Sequence, residues 1–242
     1  MKTIRIYEPG PYSHDVPFEL SHGAHQHVSV VLRMQPSETI TLFSGDNQEY
    51  TARIMETHKK RTLVQIETFK TMNRESPRAL HLAQGIAKGD RMEWIIQKAV
   101  ELGVTSITPL LTQHGAVKQD PTRLLKKQAQ WQAIAISACE QSGRNTLPIL
   151  HPITCFSSYI TTCKAALKFI LEPNTPQSLR NYTFPPGDIA LMIGPEGGFH
   201  TDELNEAIQA QFKTLNLGPR ILRTETAAIS ALSILQAMAG DL

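Results

Sequence analysis

The sequence predicts an α/β protein in which a mostly parallel, helix-covered sheet follows a small β domain. Residues 1–70 contain several short runs in which polar and apolar residues alternate, the period of half-buried strands. From residue 79 onwards, apolar strand candidates alternate with amphipathic helix candidates, the pattern of a parallel sheet covered on both faces. The polar residues 71–78 between these parts are typical of a linker. The 242 residues are enough for two domains, which we predict at residues 1–72 and 73–242.

The N-terminal part is predicted to be mostly β. Residues 39–43 and 50–55 alternate in polarity, and Ser44-Gly45-Asp46-Asn47 between them is a good hairpin-turn signal. Residues 62–69 have the same period. Residues 27–34 are the exception, because their apolar side chains are spaced as on a helix. Several short strands in so small a segment predict a little barrel or sandwich.

The C-terminal part alternates between strands and helices. Asp90 is a suitable N-cap for a helix whose apolar residues share one face, and Gly103 is a suitable end for that helix. Further helices are predicted at residues 121–142, before Gly143, and at residues 224–239. The strand candidates of this part are residues 79–87, 105–111, 167–171, 189–193 and 214–217.

The last predicted helix is apolar around almost its whole circumference. A helix that is apolar on all sides is expected to be buried on all sides. Either a central place in the core or a subunit interface can cover its second face. In a domain of this size we favour the interface, which predicts a homodimer.

Composition and charge exclude several classes of protein without selecting one. Lys and Arg number 24 against 22 Asp and Glu, and the net charge of +2 is a weak electrostatic case for a nucleic-acid partner. Cys139, Cys155 and Cys163 lack the close pairing of a zinc site or a disulfide framework. No apolar run approaches the ~18 residues of a membrane-spanning helix, and the N-terminus has no apolar signal-peptide core. We therefore expect a cytoplasmic protein without a membrane partner.

Two glycine-containing segments are the first candidates for a ligand site. Residues 193–199 (IGPEGGF) and residues 217–227 each follow a predicted strand and precede a helix. Ligands of α/β domains usually bind at the carboxyl ends of strands, where glycine exposes the backbone to them. One such loop alone is more often a simple turn. Two loops, together with Arg223, Thr224 and Glu225 at the start of a buried helix, favour a binding site.

The sequence lacks the motifs of several common ligand and catalytic sites. Neither the G-x-G-x-x-G loop of dinucleotide sites nor a G-x-x-x-x-G-K-[ST] phosphate loop is present. His22, His25 and His27 lie close together, but no carboxylate stands at ligand spacing, so we expect no metal. A serine or cysteine nucleophile with its base is not recognisable either.

Four segments together form a distinctive pattern. They are residues 194–199, residues 217–227, KGDRMEWIIQK at 88–98 with ELG at 101–103, and ISACEQSGRN at 136–145. These segments resemble the ribosomal RNA small subunit methyltransferase E family, which belongs to the SPOUT superfamily of knotted methyltransferases. The resemblance extends from Ile4 to the C-terminus. One departure is Val30, where the family pattern has a basic residue, so that one expected RNA contact of the small domain is missing.

The resemblance implies a SPOUT-type trefoil-knotted α/β domain preceded by a PUA-like β-barrel that binds RNA. It implies a homodimer that uses S-adenosylmethionine and needs no metal. The implied substrate is N3 of one uridine in small-subunit (16S) ribosomal RNA, either as free RNA or within the assembled small subunit. Two alternatives stay open: a ribose 2′-O-methyltransferase of the same superfamily, and a non-catalytic RNA-binding protein that retains the cofactor pocket.

The resemblance places the cofactor among three loops, which follow three strands of the predicted sheet. Backbone groups are expected to contact the adenine edge, while Leu217, Ile221 and Leu222 pack on its ring. The implied cofactor-binding residues are Leu171, Gly194, Pro195, Glu196, Gly197, Gly198, Leu217, Gly218, Arg220, Ile221, Leu222 and Thr226.

Arg223 and Glu225 are the candidate catalytic residues. Uracil that loses its N3 proton becomes an anion, and stabilising that anion is the main catalytic demand. Arg223 suits this role because it stands beside the N-terminus of a helix, whose dipole also favours negative charge. Glu225 could accept the proton, could orient Arg223, or could be an ordinary residue of the first helical turn.

Five basic residues are candidates for contacts with RNA phosphates. Each has an alternative as a solvated surface charge, and Arg144 could pair with Glu140 one helical turn earlier. The candidates are Arg5, Arg33, Lys88, Arg91 and Arg144.

Overall fold

A computed structural model describes residues 4–14, 16–115 and 120–242 of the chain. The chain divides into two compact units, each with its own sheet. Unit 1 comprises Met1–Glu75 and Cys139–Leu147, and unit 2 comprises Ser76–Ala138 and Pro148–Leu242. Unit 1 is therefore assembled from two stretches that are far apart in the sequence.

Unit 1 contains a five-stranded sheet. Its strands are β1 (Arg5–Tyr7), β2 (Phe18–Glu19), β3 (Thr39–Phe43), β4 (Gln48–Thr57) and β5 (Thr62–Thr71). Their order is β1-β3-β4-β5-β2, with a parallel β1–β3 pair and antiparallel pairs elsewhere. The alternating pattern arises because Ile40, Leu42 and Ile54 point into the core. Gly45 and Asn47 have positive φ angles of 102° and 58°, as the tight turn between β3 and β4 requires.

The helical segment of unit 1 differs in part from its prediction. Helix α1 (His22–His25) continues into a π-helical segment, Gln26–Val31. The helical spacing predicted at residues 27–34 is present, but only part of its apolar surface is buried, because Val31 and Leu32 are exposed. The helix ends before Arg33, whose φ of 54° cannot continue it.

Residues 139–147 complete unit 1 through side-chain hydrogen bonds. The Tyr7 backbone N–H donates to Glu140 Oε1 at 3.0 Å, and the Asn145 side chain donates to the Met72 carbonyl at 2.6 Å. Arg144 pairs with Glu75. The predicted pairing of Arg144 with Glu140 one helical turn earlier is corrected, because the helix that carries Glu140 ends at Ser142.

Unit 2 contains a seven-stranded sheet. Its strands are β6 (Leu80–Gly85), β7 (Ser106–Leu111), β8 (Ile149–Leu150), β9 (Thr154–Cys155), β10 (Leu167–Leu171), β11 (Ile189–Ile193) and β12 (Lys213–Leu215). Their order is β12-β10-β11-β6-β7-β8, and β9 pairs with β7. Every pairing among the described strands of this sheet is parallel. The predicted α/β fold with a mostly parallel sheet is confirmed.

The remaining helices follow these strands. They are α2 (Arg91–Glu101), α3 (Pro121–Ser142), α4 (Phe156–Thr162), α5 (Thr201–Gln209) and α6 (Thr224–Ala239). α2 buries the apolar face that its spacing predicted. Asp90 occupies the N-cap position, but its backbone is already helical and its side chain makes no capping hydrogen bond. Within the described part of the chain, no helix is both long enough and apolar enough to cross a membrane.

Helix α6 is buried on one side only. It packs against α2 and β11 through a face that includes Ala228, Leu232 and Leu235. On its other side, Ile234 is 37% exposed and Met238 is 41% exposed. The alternative of a central core helix is therefore wrong, and an apolar strip of α6 remains on the surface of the chain.

Candidate active site

A cleft opens in unit 2 at the carboxyl ends of β10 and β11 and at the start of α6. Its volume is about 660 Å³, which lies in the range of small-molecule sites. Ligand crevices form at this edge of parallel sheets because the strands end there and the following loops diverge. The cleft is lined by Arg91, residues 171–174, residues 193–199, residues 221–225 and Ala227.

The loop after β11 folds back closely on itself. A Cβ on Gly194 would lie 3.0 Å from the carbonyl carbon of Gly198, and a Cβ on Gly85 would lie 2.5 Å from Pro195 Cδ. Gly198 has a φ of 70°, and its N–H donates to the Pro195 carbonyl at 2.9 Å. Glycine is therefore required at 85, is favoured at 194 by the close approach of the Gly198 backbone, and is favoured at 198 by the backbone conformation.

A fully buried glutamine joins this loop to helix α6. Gln84 Nε2 donates to Thr224 Oγ1 at 3.0 Å, and the Thr224 hydroxyl donates to the Gly194 carbonyl at 2.7 Å. Sequence reasoning missed Gln84 as a site residue. The available signal was a polar residue inside an otherwise apolar strand, because buried polar groups are retained where they have hydrogen-bond partners.

Arg223 and Glu225 both line the cleft at the start of α6. Arg223 is the N-cap residue, and its side chain makes no capping hydrogen bond and has no ion-pair partner among the described residues. A cation at a helix N-terminus opposes the helix dipole, so this position is locally unfavourable for arginine. Glu225 Oε2 is buried and has no hydrogen-bond partner within residues 4–14, 16–115 and 120–242. The cleft is thus lined by a cation without an ion-pair partner and by an unsatisfied carboxylate oxygen, within the described residues.

Arg91 and Glu196 form an ion pair at the edge of the cleft. Arg91 Nη1 lies 2.6 Å from Glu196 Oε1, and the Lys88 backbone N–H donates to the same oxygen at 2.9 Å. Burial favours a higher pKa for Glu196, but the hydrogen bonds from Arg91 and Lys88 outweigh it and lower the pKa below its usual value. Glu196 is therefore ionised at neutral pH and ties its loop to the residues around the start of α2.

The predicted cofactor residues divide between two neighbouring cavities. Leu171, residues 194–198, Ile221 and Leu222 line the large cleft. Leu217, Gly218 and Arg220 line a smaller cavity of about 50 Å³, which shares Leu171 and Leu222 with the cleft. Thr226 is exposed and lines neither cavity. The cleft residues that belong to neither the predicted cofactor set nor the predicted catalytic pair are Arg91, Glu172, Pro173, Asn174, Ile193, Phe199, Thr224 and Ala227.

The five predicted phosphate contacts occupy different environments. Arg33 and Lys88 are exposed. Arg91 lines the cleft. Arg5 and Arg144 are largely buried within unit 1, where Arg5 contacts Glu49 at 2.6 Å and Arg144 contacts Glu75. A phosphate would have to compete with these carboxylates for the guanidinium groups of Arg5 and Arg144.

The three neighbouring histidines belong to unit 1, where one is buried and the others lie nearer the surface. His25 is buried and lies within hydrogen-bonding distance of the Thr62 hydroxyl, at 2.9 Å. His27 lies 3.3 Å from Glu140, and His22 is exposed. In the described part of the chain, no group of three or more His, Cys, Asp or Glu residues has the arrangement of a metal site.

Comparison with known proteins defines the class to which this fold and cleft belong. Residues 74–236 match the model of the RNA methyltransferase domain. A Legionella pneumophila protein, described as a methyltransferase and solved with the cofactor SAM bound, is 50% identical with a TM-score of 0.98, over 100% of both chains. The chain is an RNA methyltransferase by its family model.

Named relatives narrow the class to one family. The ribosomal RNA small subunit methyltransferase E of Buchnera aphidicola is 36% identical over 99% of this chain and 95% of its own length. The enzyme of that name from Neisseria gonorrhoeae, solved with S-adenosyl methionine, is 39% identical over 99% of both chains, with a TM-score of 0.91. The chain belongs to the ribosomal RNA small subunit methyltransferase E family, which confirms the resemblance inferred from its four segments.

Proposed function

We propose that this protein transfers a methyl group from S-adenosylmethionine to N3 of a specific uridine in 16S ribosomal RNA. The observation that carries the proposal is the cleft that Arg223, without an ion-pair partner among the described residues, lines together with Glu225. Arginine placed against the dipole of α6 loses stability, and such local conflicts are concentrated at functional sites. Family membership and the two similar structures with bound cofactor support the donor.

The cleft suits S-adenosylmethionine in shape and polarity. Leu171, Ile193, Leu222 and Ala227 provide apolar wall for a flat purine, and the glycine loop offers backbone groups without side chains to block them. When bound, the cofactor supplies a methyl group that is activated by a positively charged sulfur. Residues of both cavities would hold the cofactor, and the proposed cofactor-binding residues therefore include Leu217, Gly218 and Arg220. Thr226 lines neither cavity, so no contact supports its assignment to the cofactor site.

The side chains at the start of α6 would act on the substrate base. The N3–H of uracil lies between two carbonyls, so its loss leaves a charge shared by two oxygens. Arg223 and the N-terminus of α6 would stabilise this anion. Glu225 Oε2, which has no other partner in the described chain, would accept the N3 proton or hold Arg223 in place. These roles need only groups that the cleft already contains.

Primer extension on ribosomal RNA tests the reaction. We expect the enzyme with S-adenosylmethionine to create one strong stop for reverse transcriptase, because a methyl group on N3 blocks base pairing. Incorporation of labelled methyl without a stop would contradict N3 methylation and indicate a ribose 2′-O product. Cofactor binding with no label in RNA would indicate a non-catalytic RNA-binding protein. Parallel reactions on free 16S RNA and on small subunits would identify the preferred substrate.

The finer architecture is also part of the proposal. We infer a PUA-like RNA-binding domain at residues 1–72 and a trefoil-knotted SPOUT domain at residues 73–242, on the basis of the family. The exposed Arg33 and Lys88 are the phosphate contacts that we retain. Ribosomal RNA as substrate would place the protein in the cytoplasm.

Substitution of Gly194 should weaken cofactor binding. In Gly194→Ala, the new Cβ meets backbone atoms of Gly198 and Phe199 at 3.0–3.2 Å, which cannot rotate away. Overpacking of this kind costs roughly 1–3 kcal/mol, so we expect the Kd for S-adenosylmethionine to rise about tenfold, the equivalent of ~1.4 kcal/mol. Calorimetry measures this change. Gly23→Ala is the control, because its Cβ meets nothing within 4 Å, and equal affinities of wild type and Gly194→Ala would remove this loop from the site.

The exposed strip of α6 predicts the position of a dimer interface. We propose a homodimer in which Ile234 and Met238 are covered by a second copy of the chain. Ile234→Arg should then convert the protein to a monomer in sedimentation experiments, because a buried unpaired charge is strongly unfavourable. Ile208→Arg is the matched control, since Ile208 is an exposed isoleucine of α5. A wild-type monomer, or a dimer in both variants, would contradict this interface. Leu232 and Leu235 are unsuitable for this test because they are buried within the chain itself.

A further inference from the structure

Arg91 lies between two carboxylates of the cleft. It is the first residue of α2, its Nη1 is 2.6 Å from Glu196 Oε1, and its Nε is 3.8 Å from Glu225 Oε1. We propose that Arg91 is a positioning residue for methyl transfer, which holds the glycine loop through Glu196 and fixes the direction of the Glu225 side chain. The proposal rests on the proposed function insofar as it concerns the reaction rate.

The contact with Glu196 positions the loop. Glu196 stands in the middle of residues 194–198, which line the cleft, and its Oε1 also accepts the Lys88 backbone N–H. Lys88 lies in the short segment between β6 and α2, and Arg91 is the first residue of α2. A single carboxylate oxygen therefore attaches the glycine loop to the start of α2, whose apolar face is buried. Loss of one of the two donors would leave the loop with a weaker attachment and a less defined position.

The contact with Glu225 orients a candidate catalytic group. Glu225 Oε1 is the oxygen nearer to Arg91, while Oε2 is buried without a hydrogen-bond partner in the described residues. An unsatisfied buried carboxylate oxygen is unfavourable, and the attraction of Arg91 for the other oxygen helps to keep it in that position. Arg91 thereby leaves Oε2 as the free acceptor. This is the oxygen that the proposed function assigns to the N3 proton or to Arg223.

The geometry favours this role over the phosphate contact that the sequence predicted for Arg91. Its guanidinium donates to Glu196 at short distance. This hydrogen bond, together with the charges of Glu196 and Glu225, raises the pKa of Arg91 above its usual value. A phosphate would compete with both carboxylates for this group. A contact between Arg91 and an RNA phosphate is the alternative that the experiment must distinguish.

Three variants separate the two contacts. Arg91→Ala removes both of them. Arg91→Lys keeps a cation for Glu196 but lacks the second nitrogen that reaches Glu225. Glu196→Gln keeps Arg91 and weakens only the attachment of the loop. Lys98→Ala is the matched control, because Lys98 is on the same helix and pairs with Glu101 outside the cleft, at 2.8 Å.

The first measurement is hydrogen exchange of the backbone amides of Gly194, Glu196, Gly197 and Gly198, which needs no activity. We expect faster exchange in Arg91→Ala and Glu196→Gln, wild-type exchange in Lys98→Ala, and largely restored protection in Arg91→Lys. Unchanged exchange in Arg91→Ala would overturn the role of Arg91 in positioning the loop.

The second measurement is the single-turnover rate at saturating RNA and S-adenosylmethionine. Arg91→Ala should lower this rate roughly 10- to 100-fold, the scale expected when catalytic groups lose their alignment. Arg91→Lys should restore the rate only in part, because the contact with Glu225 is missing. An unchanged rate combined with weaker RNA binding, and a salt slope reduced by about one, would identify Arg91 as a phosphate contact and overturn the proposal. If wild-type protein methylates no RNA, the proposed function fails, whereas the exchange data still decide whether Arg91 holds the loop.

Discussion

Arg223→Ala is expected to lower the single-turnover rate of RNA methylation by ~10²-fold or more, the usual effect of removing one preorganised donor that stabilises a developing anion. Affinity for S-adenosylmethionine should change much less, because the interaction is strongest in the transition state. Stopped reactions with labelled cofactor measure the rate, and calorimetry measures the affinity. Equal losses in both would make Arg223 a structural residue of the cofactor pocket.

The same position allows a control that separates catalysis from stability. Arg223 is the N-cap of α6 and makes no capping hydrogen bond, whereas serine is among the preferred N-cap residues and contributes ~1 kcal/mol. Arg223→Ser should therefore be as inactive as Arg223→Ala and yet unfold at a higher temperature than wild type. A variant that is both inactive and less stable would mean that the arginine supports the fold of the helix start.

Acid should destabilise unit 1 through Glu49. This carboxylate is 7% exposed and contacts Arg5 at 2.6 Å, Lys70 at 3.0 Å and Arg74 at 2.5 Å. Burial alone would raise the pKa of Glu49, but the hydrogen bonds and charges of these three cations lower it to about 2. Because the pKa in the folded state is below the unfolded value of about 4.5, the stabilisation is complete above pH 4.5 and is lost as the pH falls towards 2. The loss should amount to roughly 3 kcal/mol.

Urea unfolding at a series of pH values measures this contribution, with a spectroscopic probe that reports on unit 1. Glu49→Gln should be less stable at pH 7 and should lack most of the pH dependence between 4.5 and 2. Glu67→Gln is a matched control, because the Glu67 carboxylate is more exposed and pairs with Arg53 at the surface. A wild-type pH profile in Glu49→Gln would show that other groups cause the acid sensitivity.

The parts that sequence reasoning predicted correctly are those with a local signal. The predicted strands β6, β7, β10 and β11 of unit 2 are mostly apolar runs between turns, whereas the two-residue strands β8 and β9 were not predicted. The bounds of α3 and α6 follow from apolar spacing and flanking glycines or polar residues. The glycine loop could be placed at a ligand edge because strand, loop and helix follow one another directly. The exposed side of α6 could not be predicted, because composition does not indicate which apolar face a neighbouring helix covers.

The partners of Arg5 and Arg91 have no local signal in the sequence. Arg5 and Asn145 are separated by 140 residues, and Arg91 and Glu196 by 105 residues, so neither partner is indicated by spacing in the sequence. When the partner of a basic residue is not known, the sequence alone cannot distinguish a residue that pairs inside the protein from one that contacts an RNA phosphate. Gln84 was missed for a related reason, since its partners Thr224 and Gly194 meet it only when β6, β11 and α6 are assembled.

The participation of residues 139–147 in unit 1 has a consequence for the order of events during synthesis. Strands β1 to β5 are complete once residue 71 has left the ribosome, but the acceptors of the Tyr7 amide and of the Arg5 guanidinium arrive only with Glu140 and Asn145. At ~5–20 residues per second, the nascent N-terminal region spends on the order of ten seconds without them. During this interval the Arg5 guanidinium can bind the Glu49 carboxylate and solvent, but not the Asn145 side chain. The N-terminal region is therefore expected to reach its native stability after much of the C-terminal region has already been translated. Ribosome-bound chains stalled before residue 139 should be more sensitive to protease in β1 than chains stalled well beyond residue 147.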